Sequence, residues 1–288
     1  MKNILVPTDF SAESHHAFEV AVRLAARTGA RVLLLHAVEL PETASFSTYG
    51  GPVGTESPAH SGSIADVFVI KLLQATKGRM LHLMAEAVAI APAVVVQDFV
   101  QATRLSEALA STFKHQAIDL VVIGAQGHSA SEHFFFGSNT ERLVRTAPCP
   151  VLAVKHPAGE FRVQQLVFPS DFSAEADRAV PELRRLQALF PEAMLQLLCV
   201  VSGDSREPAA LEKMRAFAER HHLARFDTNV RVSGSPSTGI THFAQQVQAD
   251  LVLLPTHGRT GLSRFLQASI AENVATHAFP PVLTFQLG

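Results

Sequence analysis

The chain is short of cysteine, of surplus positive charge and of long apolar runs, and each shortage removes a class of protein. Its two cysteines, Cys149 and Cys199, are fifty residues apart, so neither a disulfide framework nor a zinc-ligand spacing can be built from them. Such usage suits a reducing compartment. A formal net charge of -2 and a pI of about 6.7 leave no basic excess to neutralise nucleic-acid phosphates. The longest uncharged apolar stretch, Ala87–Val96, is interrupted by Pro92. It falls well short of the ~20 residues that span a bilayer. The opening MKNILVPTDF enters a strand-like run directly, without the longer apolar region and small-residue cleavage site of a signal peptide. These readings predict a cytoplasmic protein that engages neither nucleic acid nor membrane.

What is present is apolar material and a repeat. Hydrophobic residues make up 47% of the 288 and charged residues 17%, enough for one or two sizeable cores. Residues 4–13 read ILVPTDFSAE and residues 166–175 read LVFPSDFSAE, with six of ten positions identical at an offset of 162. Further on, DLVVIGAQG (119–127) pairs with DLVLLPTHG (250–258), and PVLAV (150–154) with PVLTF (281–285), both at an offset of 131. The chain is therefore two copies of one unit, 1–155 and 166–288, joined by a linker over 156–165. The second copy is 31 residues shorter in its middle. The excess in the first maps to residues 41–63, PETASFSTYGGPVGTESPAHSGS, a Pro-, Gly- and Ser-rich loop without apolar period.

Each copy alternates strand and helix signals. In the first, Asn3–Val6 reads as a buried strand. Ala17, Val20, Ala21, Leu24 and Ala25 follow at helical spacing, and Gly29 closes that helix. Arg31–Val38 is strand two, Ile64–Ile90 a helix and Ala93–Val100 strand three. Arg104–His115 is a helix, Leu120–Ile123 strand four, Ser138–Thr146 a helix and Val151–Val154 strand five. Strands alternating with helices predict an α/β, doubly wound, mostly parallel sheet with right-handed crossovers. Ligands of such sheets sit outside the carboxyl ends of the strands.

After strand four comes Gly124-Ala-Gln-Gly127, then nine residues, then Gly137-Ser138. Glycine lets backbone N–H groups approach an anion without a Cβ in the way. Gly137-Ser138 opens a helix, where unpaired N–H groups and the dipole favour phosphate. The same residues also read as an ordinary strand-exit turn with Ser138 as an N-cap. The Gly-x2-Gly-x9-Gly-Ser spacing, with PTDFS at 7–11, LLLHAVE at 33–39 and APCPVLAVK at 147–155, resembles the universal stress protein family across nearly the whole chain.

That resemblance implies two tandem five-stranded sheets of the adenine-nucleotide alpha hydrolase-like type, in the order 3-2-1-4-5. It implies ATP as ligand, with Asp9 at the nucleoside end and the backbone at Ala37 holding the base. Pro7 would line the same crevice, and Gly124, Gly127, Gly137 and Ser138 would meet phosphate. His128 and Asn139 follow the motif glycine and serine, where either could touch phosphate; His128 reads equally well as an exposed loop histidine. Asp9 reads equally well as a cap for the helix that follows. Relatives dimerise through the last strand, so Val151–Val154 and Val282–Phe285 are expected to meet as an intramolecular pseudo-dimer. A homodimer of whole chains stays open.

The second copy departs at the motif. Gly124 becomes Pro255 and Gly137 becomes Ala268, while Gly258 and Ser269 stand in for Gly127 and Ser138. Pro255 has no N–H and a fixed φ. Asp171 and Arg259 remain, but the second site reads as degenerate. Pro181 falls inside the expected first helix of this copy, which must start late or kink. The pairs His15-His16 and His221-His222 read as solvated helix faces, since adjacent helical residues diverge. Phe134–Phe136 reads either as packing, as a contact with the other half or as a lid.

Three functions fit. The leading one is an ATP-binding regulator of the stress response acting on a protein client, with no catalytic residue assigned. The second is slow ATP hydrolysis at the same site, with Asp9 placing Mg²⁺ or water. The third is an interaction module that binds no nucleotide. No Walker sequence, no GxGxxG after strand one and no GxSxG elbow is present.

Overall fold

A computed structural model of the chain describes residues 1–39, 64–125, 138–157, 159–203, 206–257, 270–271, 273–275 and 278–287. The 41–63 stretch and the motif residues Gly127, His128 and Gly137 lie outside these, as does the Ser138 side chain. So do Phe134–Phe136, Gly258, Arg259, Ala268 and Ser269.

The first half runs β1 (Asn3–Pro7), α1 (Ala12–Thr28), β2 (Arg31–Ala37), α2 (Ile64–Ile90), β3 (Val96–Gln101), α3 (Leu105–His115), β4 (Leu120–Gly124), α4 (Ser138–Thr146), β5 (Val151–Val154). The second runs β6 (Gln165–Pro169), a 3-10 turn (Ala174–Ala179), α5 (Val180–Leu189), β7 (Met194–Val201), α6 (Glu207–Arg220), β8 (Phe226–Val232), α7 (Pro236–Gln246), β9 (Leu251–His257), β10 (Val282–Leu287). All ten strands form one sheet in the order β3-β2-β1-β4-β5-β10-β9-β6-β7-β8. Within each half the neighbours are parallel. The two halves join where β5 and β10 pair antiparallel, with Leu152 opposite Leu283.

Why these residues take these places follows from side-chain alternation. Successive residues of a strand point to opposite faces. Ile4, Val6, Val32 and Leu34 pack on one face with Phe18, Ala21 and Leu24 of α1. Leu5, Leu33, Leu35, Val121 and Ile123 pack on the other with Ala108 and Leu109 of α3 and Leu143 of α4. A strand buried on both faces reads as a continuous apolar run, which is what VLLL shows. The first apolar layer continues beneath the second half through Leu152, Leu283, Leu166 and Phe168. Fully burying each such side chain is worth ~1.5–3 kcal/mol.

The repeat extends to hydrogen bonds. Asp119 Oδ2 accepts from the N–H groups of Lys2 and Asn3 at 2.6 and 2.9 Å. Asp250 Oδ2 accepts from Gln164 and Gln165 at 2.8 and 2.9 Å. Each carboxylate thus ties the start of its half's first strand to the start of the fourth.

Three readings need adjustment. Strand three begins at Val96 rather than Ala93, because Ala91–Val95 form the turn that leaves α2, with Val94 N–H bonded to the Ala91 carbonyl. Strand two stops at Ala37 and strand five of the second copy runs on to Leu287. The second copy's first helix does start late. A 3-10 turn precedes α5, and Pro181 takes a first-turn position of α5 where its missing N–H costs nothing. The connection between the halves is packed: Phe161 and Val163 are buried, and Phe161 meets Phe190 edge-on.

Contacts across the join are polar as well as apolar. The Thr284 hydroxyl donates to the Val151 carbonyl at 3.3 Å, and Gln286 Nε2 to the Ala147 carbonyl at 3.0 Å. The Lys155 ammonium, at the end of β5, donates to the Ala278 carbonyl. Burial pulls the Lys155 pKa from 10.5 down to about 7.

Candidate functional site

β1 has β2 on one side and β4 on the other, and the chain leaves β1 and β4 in opposite directions. Their carboxyl ends diverge there and open a crevice, the expected ligand position of an open α/β sheet. A cavity of about 430 Å³ fills it. Its walls include Pro7, Thr8 and Asp9 from the end of β1, Ala37 from β2, Gly124 from β4, and Asn139 and Thr140 from α4. The structure therefore brings together Pro7, Asp9, Ala37, Gly124 and Asn139 from four separate places in the sequence.

The exit of β1 is held by side chains that substitute for backbone partners. Thr8 Oγ1 accepts the Phe10 N–H at 3.0 Å. Asp9 Oδ1 accepts both the N–H and the hydroxyl of Ser11, at 3.0 and 2.5 Å. Phe10 sits at φ 63, a left-handed conformation uncommon for a bulky residue. Phe172 repeats it at φ 52, with Ser170 and Asp171 making the matching hydrogen bonds. The turn is thus a property of the fold, kept in both halves.

Asp9 does not cap α1. Ser11 is the N-cap, and its hydroxyl accepts from the Ser14 N–H at 3.2 Å. Asp9 acts one step earlier, by fixing Ser11. It stays exposed at the cavity mouth. Burial pushes its carboxyl up, but the Ser11 hydroxyl and N–H outweigh that and hold it below the ordinary 3.8. Asp9 is therefore an anion at neutral pH, available to hydroxyl or amine donors.

Gly124 is glycine for a reason not legible in the motif. A Cβ there would lie 2.4 Å from the backbone carbon of Glu13 and 2.6 Å from the Ser14 nitrogen. The first turn of α1 rests directly on the end of β4. The second half has Pro255 at this position, and there the segment matching that turn is a 3-10 turn instead.

Thr140 is a cavity residue that sequence reasoning missed. It is buried, and its hydroxyl donates to the Gly124 carbonyl at 3.2 Å, fastening the start of α4 to the end of β4. Thr8 and His36 were missed as well. His36 Nδ1 donates to the Thr8 carbonyl at 2.7 Å and its ring packs on Phe10, centroids 4.5 Å apart. Thr8 follows a strand end, whereas His36 lies within β2 and Thr140 within α4, where polar type alone marks no site.

The equivalent crevice of the second half is smaller and more apolar. Its cavity of about 210 Å³ is lined by Asp171, Val200, Pro255, Ile270 and Ala271, among others. Val200 stands for Ala37, Ile270 for Asn139 and Ala271 for Thr140, so three small or polar groups have become larger or apolar ones. Of that half's candidate residues, the described Asp171 lines the crevice.

The histidine pairs are not simply solvated. His15 Nε2 lies 2.6 Å from Glu86 of α2, and His82 Nε2 lies 3.1 Å from the same carboxylate. His221 Nε2 lies 2.8 Å from Asp177 and packs against Phe217. Partners distant in sequence make both pairings invisible to local pattern. Among the described residues no group of three or more His, Cys, Asp or Glu is arranged to hold a metal ion. None of the described helices is long and apolar enough to cross a membrane.

Two parallel α/β units, each with a crevice at its strand switch and joined through their fifth strands, define a tandem protein of ligand-crevice type. The chain belongs to the universal stress protein family: the family model described as "Universal stress protein family" matches residues 1–155 and again 163–286. A universal stress protein of Synechocystis sp. is 23% identical over 300 residues, covering 99% of this chain and all of its own. A relative from Staphylococcus haemolyticus is 28% identical over 186 residues, 64% of this chain and 96% of its own. In fold, the crystal structure of a universal stress protein from Archaeoglobus fulgidus matches 99% of this chain and 98% of its own. Its TM-score is 0.74 at 16% identity.

Proposed function

We propose that this protein is a nucleotide-responsive regulator of the stress response that holds one adenine nucleotide, ATP, in the first-half crevice. The carrying observation is the cavity of about 430 Å³ at the strand switch, within the ~300–1,000 Å³ typical of small-molecule sites. Asp9, Glu13 and Glu39 line it, and carboxylates suit ribose hydroxyls and the adenine amine. The start of α4 lines it as well, and a helix amino terminus favours phosphate. Any Mg²⁺ would enter with the phosphates and requires no protein cluster of its own. Both cysteines are free thiols, in keeping with a cytoplasmic site of action. The regulator acts through a protein client that senses the loaded state.

The second crevice, at about 210 Å³, falls below the ~300 Å³ at which such sites begin. One nucleotide per chain is therefore expected. Calorimetric titration of ATP tests this, together with release of nucleotide on denaturing the purified protein. A stoichiometry near one supports the reading. A stoichiometry near two, or no binding at millimolar ATP, overturns it. Exchanging first-half residues for their second-half counterparts, Ala37→Val with Asn139→Ile, is expected to weaken ATP by ~10-fold or more, the cost of ~1.4 kcal/mol of lost contact.

A further inference from the structure

A second cleft lies between α1 and α2, apart from the strand-switch crevice. Its volume is about 710 Å³, within the ~300–1,000 Å³ of small-molecule sites. Thr8, Ser11 and Ser14, at the exit of β1 and the start of α1, form a wall common to both. His15, His16, Gly78, Arg79, His82 and Glu86 belong to this cleft alone.

Three of these residues have no full use within the chain. Arg79 makes no hydrogen bond or ion pair among the described residues, and its guanidinium lies 5.4 Å from the Phe10 ring centroid. That contact holds the charge in place and leaves its N–H donors for another partner. His16 Nδ1 is the one buried side-chain nitrogen or oxygen among the described residues without a hydrogen-bond partner. Such an orphan in a native protein calls for an ion or a water. Gly78 stands in the interior of α2, where glycine is costly, yet a Cβ there would meet nothing within 4 Å. The chain's own packing gives no reason for a glycine, and the missing side chain leaves room in the cleft.

The second half builds the same place differently. The buried Thr76, Met80 and Leu83 of α2 recur at the same spacing as Ala210, Met214 and Phe217 of α6. The His15–Glu86 contact recurs as Asp177–Arg220, with acid and base exchanged. Phe172, the counterpart of Phe10, packs on Phe217 with ring centroids 5.3 Å apart, and Glu212 stands where Gly78 would. One helix–helix clasp is thus kept in both halves, while its surroundings are aromatic in the second and cationic in the first.

Charge names the ligand class. Glu86 is the one carboxylate lining the cleft, and His15 and His82 share it at 2.6 and 3.1 Å. Arg79 remains as an unbalanced cation, with the His16 ring contributed by the facing helix. Donors on two helices approach from different directions, which suits the tetrahedral oxygens of a phosphate better than the two coplanar oxygens of a carboxylate. We propose that this cleft is a second ligand site, taking a small molecule that carries a phosphate group, with Arg79 as its anchor. The nucleotide reading of the strand-switch crevice plays no part in this assignment. The chain before α2 enters at Ile64, ~16 Å along the helix axis from Ala75 at the edge of the cleft.

NMR of the histidine rings, in a titration of the full chain with inorganic phosphate against chloride at constant ionic strength, reads the site. The His16 and His82 resonances, assigned through His16→Gln and His82→Gln, are expected to shift and saturate. Arg79→Ala is expected to weaken binding by ~10-fold or more. Gly78→Leu is expected to abolish it with the melting temperature unchanged or higher, since leucine is the better helix former. Ala37→Val with Asn139→Ile should leave it intact. Shifts that never saturate, or that either Arg79→Ala or Gly78→Leu leaves unchanged, overturn the proposal. So does binding lost in the Ala37→Val/Asn139→Ile protein, which would put the ion in the nucleotide crevice, and so does acetate binding as tightly as phosphate. Binding that appears only when residues 41–61 are deleted also overturns it, since the chain itself then fills the cleft.

Discussion

Leu152 of β5 lies directly opposite Leu283 of β10, and the two are the same position of the repeat. Val151 opposes Thr284 and Ala153 opposes Val282, so the register is symmetric about this pair. Each leucine is 3% exposed. An isologous contact has this form, a residue meeting its own counterpart. Leu152→Ala and Leu283→Ala are each expected to cost ~2–5 kcal/mol in urea unfolding. Cross-strand neighbours couple by ~0.5 kcal/mol or more, so the double variant should depart from the sum. Strict additivity would show that the two halves unfold independently of this contact.

Ser11 and Asp9 can be separated experimentally. Ser11→Ala removes the α1 cap and is expected to lower stability by ~1 kcal/mol. Asp9→Asn keeps an oxygen that can accept from Ser11, so stability should hardly change. It removes the charge facing the cavity, and ATP affinity should fall by ~10-fold. Equal effects on stability and affinity in both variants would assign Asp9 to the turn alone.

Gly124→Ala places a methyl against the Glu13 and Ser14 backbone, atoms that cannot move without lifting the first turn of α1. Overpacking of this kind is expected to cost ~1–3 kcal/mol, along with a loss of nucleotide binding. Pro255→Ala should be much milder. A fully stable Gly124→Ala protein that has lost ATP binding would instead place the glycine's importance on the ligand side.

Lys155 gives the join between the halves a pH dependence. Its folded pKa, about 7, lies below its ordinary 10.5. Below pH 7 the group is charged in both states and the burial penalty is felt in full. Between pH 7 and 10 the unfolded chain binds more protons, so this group's contribution to stability rises with pH. Lys155→Met should therefore be favoured relative to wild type at pH 7, and the gap should close towards pH 10. Unfolding midpoints of both proteins across that range measure it; a gap independent of pH would mean that Lys155 is not titrating there.

The strand and helix order was legible because both signals are local. The α2 bounds agree with the sequence reading, α4 opens at Gly-Ser, and the late start of α5 follows from Pro181. The sequence places the start of strand three too early because Val94 and Val95 are as β-prone as Val96, and only the turn following Pro92 separates them. Of the site, Asp9 and Gly124 were found by residue type and place, but their local roles depend on what lies across the fold. Ser11 takes the cap from Asp9, and Gly124 yields to α1. Thr140, His36 and the His15–Glu86 pair are defined by partners far along the chain, which no spacing encodes.

When two identical polypeptides assemble about a dyad, any substitution is made twice, and a change harmful in one subunit is harmful in both. The β5–β10 seam places the two partners in a single polypeptide, each specified by its own stretch of sequence. That permits combinations closed to a true homodimer. Pro255 can stand where Gly124 stands in the other half, and Ile270 where Asn139 does, with one half keeping the wider crevice and the other a narrower, more apolar one.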